Sequence, residues 1–131
     1  MTALRCLRIR EDSDRAEDVT VDDDHLAEAI RAETVDIVRI AVRNVDYVAV
    51  CDDNGAIVPA GGRPVTAIIQ FVRRGMAKPA LCGDLLIALE HGGELAGLTD
   101  YDVGLLTDRV VPMCIPPAAA DRAVLCLEAG R

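Results

Sequence analysis

His91 follows Glu90, with Asp84 upstream, and a histidine among carboxylates could run general acid–base chemistry. His91 also opens His91-Gly92-Gly93-Glu94, a turn in which a solvated polar side chain is expected, so the bland reading is the better one. Lys78, the single lysine, precedes Pro79 in an expected loop, where nothing would desolvate it as a catalytic lysine requires. Gly61-Gly62-Arg63-Pro64 stands ahead of an expected helix, and free N–H groups at a helix start can hold an anion. Gly61, Gly62 and Arg63 are therefore the candidate anion-binding residues of a small-ligand or nucleotide-binding module. The glycines form neither a dinucleotide fingerprint nor a Walker loop. No catalytic constellation emerges, and a non-enzymatic protein is expected.

The five cysteines, Cys6, Cys51, Cys82, Cys114 and Cys126, are widely spaced, with neither His25 nor His91 near one in sequence. A structural zinc site needs ligands at short intervals, so these read as unpaired core thiols, with no metal and no cofactor.

Charge is the remaining signal. The net charge is -8, and nine carboxylates between Glu11 and Glu28 face only Arg15. These carboxylates lack the central glycine and terminal glutamate of an EF-hand loop. A solvated acidic loop is the plain reading; the sharper one is a mimic of a phosphate backbone offered to a DNA-binding protein. Asp12, Asp14, Asp18, Asp22 and Asp23 are the candidate interaction residues. Arg73-Arg74 and Lys78 make only a small basic cluster, which disfavours direct nucleic-acid binding. No apolar run approaches the roughly 18 residues of a membrane span, and Arg5 and Arg8 interrupt the N-terminal apolar stretch. No membrane contact is expected, and the cytoplasm is the expected location.

The elements that would position these residues follow from periodicity. Leu4 to Arg10 reads as a strand, the acidic stretch as a loop over 11–24, and Asp22-Asp23-Asp24 as the cap of a helix through Ile30. Thr34–Val42 and Asp46–Cys51 flank Arg43-Asn44-Val45 as a hairpin, and Asp53-Asn54-Gly55 should turn into a strand at Ala56–Val58. Val65, Ile68, Ile69 and Val72 recur at helical spacing after Pro64. A buried strand covers Cys82–Leu89. Thr99 and Asp102 form a capping box for a helix ending near Thr107, and Arg109–Ile115 is a last strand. The tail over 116–131 reads as helix. One domain over 1–131 is expected, of α+β class: a mainly antiparallel sheet of four to six strands with three or four helices packed mainly on one face.

From Asp24 to Leu106 the chain resembles the domain of unknown function 3846 family of phage, plasmid and mobile-element proteins. The blocks that carry the likeness are Val35-Asp36-Ile37-Val38-Arg39-Ile40, Cys51-Asp52-Asp53-Asn54-Gly55, a small helix with Ala67, Cys82-Gly83-Asp84-Leu85-Leu86-Ile87 and Leu98-Thr99-Asp100-Tyr101-Asp102. The resemblance implies a small accessory protein and brings no catalytic residues. With the acidic segment, it points to an accessory protein that binds an unidentified protein partner or itself.

Overall fold

The computed structural model describes residues 2–53, 63–71, 80–115 and 118–130, and of Phe71 the backbone alone. These residues form β1 (Ala3–Ile9), β2 (Ala16–Asp22), α1 (Leu26–Ala29), β3 (Val35–Val42), β4 (Val45–Asp52) and β5 (Val65–Phe71). Then come β6 (Ala80–Cys82), β7 (Leu85–His91), β8 (Glu94–Ala96), α2 (Asp100–Thr107), β9 (Val110–Met113) and β10 (Arg122–Ala129). Mostly strand, and laid out as two sheets, the described chain overturns the expected α+β fold with three or four helices.

The first sheet has six strands in the order β2-β1-β7-β4-β3, with β8 beside the end of β7, and every pairing in it is antiparallel. The second runs β6-β5-β10-β9, with β5 and β10 parallel. β4 and β7 lie at the centre of the first sheet with both faces covered, so Tyr47–Cys51 and Leu85–Leu89 are buried without alternation. One face packs Leu7, Ile40, Ala49 and Ile87 against Ile69, Leu81 and Leu125 of the second sheet. On the opposite face, Cys6, Val48, Val50 and Leu86 lie under Ile30, which closes α1. The core is aliphatic, as the shortage of aromatic residues requires.

Several expectations hold. β1 forms, and β3 and β4 pair as a hairpin whose turn residues Arg43 and Asn44 have φ of 50° and 65°. That left-handed pair is the backbone of a type I′ turn. α2 begins with the reciprocal capping box of Thr99 and Asp102.

Others are corrected. Val65–Phe71 is a strand, not a helix: its apolar spacing fits both periods, and pairing on both sides, to β6 and β10, decides for the extended form. Ala67, set on a small helix by the family resemblance, is in β5. The helix expected in the tail is β10, the strand between β5 and β9. The acidic loop over 11–24 is largely β2, paired with β1 along its whole length. The Cys82–Leu89 strand is broken at Gly83, whose φ of 79° turns the chain from β6 in one sheet to β7 in the other. α1 is a single turn, and the residue at its N-cap is His25, which makes no side-chain cap bond. The strand expected at Ala56–Val58, with Asn54, Gly55, Gly61, Gly62, Arg73, Arg74 and Lys78, lies outside the described residues.

Candidate functional site

The turn between β1 and β2, the residue after Ile30, the end of β4, the start of β5 and the β6–β7 junction meet in one ionic network. Asp84 is 1% exposed. It accepts from Arg31 Nε at 2.7 Å, from Arg31 Nη2 at 2.9 Å and from the Glu11 N–H at 2.9 Å. Arg31 also reaches Asp12 at 3.3 Å. Its backbone is left-handed, with φ of 56°, a conformation an arginine adopts only at some cost. The two bonds to buried Asp84 offset that cost.

Arg63 is the second cation. Its Nη2 lies 3.1 Å from Glu11 Oε1 and its Nη1 2.5 Å from Asp52 Oδ2. Its guanidinium fills the space over Gly83, where an added Cβ would stand 2.9 Å from it. Glu11 above all, and Asp52, hold the Arg63 cation and raise its pKa further, against its partial burial. The side chain thus serves two carboxylates, and it precedes the strand β5, not the helix that was expected after Pro64. Gly61 and Gly62 themselves lie outside the described residues.

Of the acidic candidates, only Asp12 joins this network. Asp18 pairs with Arg5 at 2.8 Å, and Glu17 pairs with Arg8 at 3.0 Å and Arg10 at 3.2 Å. Asp14 meets Arg15 at 3.5 Å. Asp22 accepts from the Asp24 N–H and Asp23 from the Thr2 N–H, so both shape the turn after β2. Carboxylate oxygens of Asp22, Asp23 and Asp24 come within 4.8 Å of one another. Asp12 and Asp18 are held below the ordinary carboxylate range by bonds from Arg31 and Arg5, and Asp22 by the Asp24 N–H. The segment is therefore not a self-repelling loop. Arginines of β1 answer the carboxylates of β2 across the strand pair, which lowers the repulsion that a count along the chain suggests.

His91 is exposed at the end of β7, while Glu90 pairs with Arg39 at 3.1 Å and Asp84 with Arg31, so the three do not form an acid–base set. Cys6, Cys51 and Cys82 are buried, Cys126 is half-buried and Cys114 is exposed. Burial pushes the Cys6 thiol up to about 11. The hydrogen-bonded pair that sequence spacing could not show is Tyr47 and Asp102. Buried Tyr47 donates to Asp102 Oδ1 at 2.7 Å, tying α2 to β4. Burial raises the Asp102 pKa, but bonds from the Thr99 N–H and the Tyr47 and Thr99 hydroxyls outweigh it and keep the carboxyl below its ordinary range.

Each guanidinium of the network is held by two carboxylates, which ties five chain segments together without aiming a nucleophile or base into a cleft. Around α1, what is presented to solvent is negative charge. Asp24, Glu28 and Glu33 are exposed around α1 with no cation partner among the described residues. No helix among the described residues is long and apolar enough to cross a membrane. Comparison with protein families, curated proteins and solved structures finds no match.

Proposed function

We propose that the protein works by binding, not catalysis: an accessory protein of the cytoplasm that holds a basic protein partner on the face carried by β2 and α1. The observation that carries this is the placement of Asp24, Glu28 and Glu33, which no described cation neutralises, beside an edge strand that pairs with β1 alone among the described strands. An edge strand offers unpaired N–H and C=O groups to an extended segment, and the carboxylates select a basic one. The resemblance to the domain of unknown function 3846 family favours a setting among accessory genes of mobile DNA.

Extended synthetic peptides alternating lysine with valine test the proposal, with glutamate–valine peptides as the control. The lysine series should bind and the glutamate series should not. Affinity should fall with added salt, because exposed charges are screened over about 8 Å at physiological ionic strength. The combined variant Asp24→Asn, Glu28→Gln, Glu33→Gln should bind several-fold more weakly at an unchanged melting temperature. Equal binding by that variant, or no preference for the basic series, would count against the proposal.

A further inference from the structure

Three residues violate local rules without any return inside the protomer, and they surround one groove. Arg43 occupies the first position of the β3–β4 turn at φ of 50°, where glycine, asparagine or aspartate is the favoured residue. Unlike Arg31, it gains nothing for this: its guanidinium has no partner among the described residues. Gly104 sits inside α2, where glycine weakens a helix relative to alanine, yet an added Cβ would meet nothing within 4 Å. Asp108 places a carboxylate at the C-terminal, negative end of the α2 dipole with no described cation on it, the nearby Arg109 guanidinium donating instead to the Leu105 carbonyl at 2.8 Å. All three line an open groove of about 520 Å³, together with Leu105 and Tyr101. Tyr101 is 65% exposed in a chain with only two tyrosines and one phenylalanine. Local conflicts gathered in one place mark a surface whose partner is missing.

The charges name the partner. Of the charged groups on the groove, Asp100 pairs with Arg5 and Arg109 donates to the Leu105 carbonyl, which leaves Arg43 as the cation and Asp108 as the carboxylate with no described side-chain partner. A patch complementary to itself closes about a two-fold axis, with residue i of one copy on residue j of the other and the reverse. We propose that the α2 groove is a homodimer contact: two copies cross at Gly104, Arg43 of each meets Asp108 of the other, and Tyr101 of each covers the partner's groove. Glycine at the crossing lets the two helices approach closely, and tyrosine with arginine are the side chains that anchor interfaces. One short helix and one turn make a small contact, so the dimer belongs to the weak, reversible class. This surface is separate from the acidic face and stands or falls independently of it.

Sedimentation equilibrium of the full chain tests the dimer across the micromolar to millimolar range. The wild type should move from monomer to dimer with concentration. Arg43→Asp alone and Asp108→Arg alone should each remain monomeric, since each sets like charges against one another twice. An equimolar mixture of the two variants should recover the dimer, because both cross-contacts are then opposite in sign. Gly104→Leu should abolish association without lowering the melting temperature. A wild type that stays monomeric throughout, variants that still dimerise, or a mixture that fails to recover while both variants remain folded would each overturn the proposal.

Discussion

Arg31 and Asp84 are two ends of one ion pair with unequal surroundings, and the inequality sets what each substitution costs. Asp84 is 1% exposed, whereas the Arg31 side chain is 48% exposed. Losing Arg31 strands a carboxylate away from water; losing Asp84 leaves a guanidinium that still reaches Asp12 and solvent. Arg31→Ala should therefore cost about 3 kcal/mol and Asp84→Ala only about 1–2 kcal/mol in urea denaturation. Arg31→Gly should recover about 1 kcal/mol of the alanine loss, because glycine takes φ of 56° freely. Equal losses for Arg31→Ala and Arg31→Gly would mean that the backbone at this position carries no strain. Little of this could be read along the chain. The Thr99–Asp102 box was legible because both partners lie within one turn. Arg31 and Asp84 are joined only by the fold, and no local pattern marks Asp84 as the buried member.

Among the elements, the β6–β7 junction shows what sequence can and cannot say. Along the sequence Gly83 lies within what reads as one buried strand over Cys82–Leu89; that it ends β6 and redirects the chain between two sheets was not legible, since both flanks are equally apolar. The same ambiguity explains β5 and β10. Val65, Ile68, Ile69 and Val72 satisfy a helical period, and Ala123–Ala129 satisfies helix propensity, but both segments are flanked by strands whose pairing outweighs those local preferences. The hairpin and β1, by contrast, carried β-branched residues or alternation strong enough to be read alone. Gly83→Ala should be destabilised twice over, by a positive φ of 79° and by a Cβ 2.9 Å from the Arg63 guanidinium. Gly92→Ala, at φ of 60° with open space, meets only the first penalty of about 1–2 kcal/mol. Thermal or chemical denaturation should rank Gly83→Ala clearly below Gly92→Ala. Equal stabilities would show that Arg63 yields its place without loss.

At the scale of the whole molecule, the tail is the largest revision. Residues 122–129, expected as a helical addition, form the strand that holds the second sheet together and bring Ala123, Leu125 and Leu127 into the shared core. Gly130 then donates its N–H to the Ala41 carbonyl at 2.8 Å, joining the tail to the edge of the first sheet. A chain cut after Asp121 should consequently lose its cooperative melting transition, not merely a few degrees, and should aggregate through the exposed edges of β5 and β9. A sharp thermal transition in the truncated protein would show that the first sheet folds independently.

The parallel pairing of β5 with β10 also has a consequence in time. In chain order β10 is the last of the ten described strands, yet both of its neighbours, β5 and β9, are made before it. During synthesis these two wait with no strand between them, and closure of the long loop back to β5 is entropically slow. The described strands of the first sheet are all made once β8 is complete, so the molecule passes through a stage in which one layer is assembled while β10, an inner strand of the layer that covers it, is still missing. In the cell that half-built stage, more than the finished domain, is where chaperone binding, proteolysis and aggregation would compete for the chain.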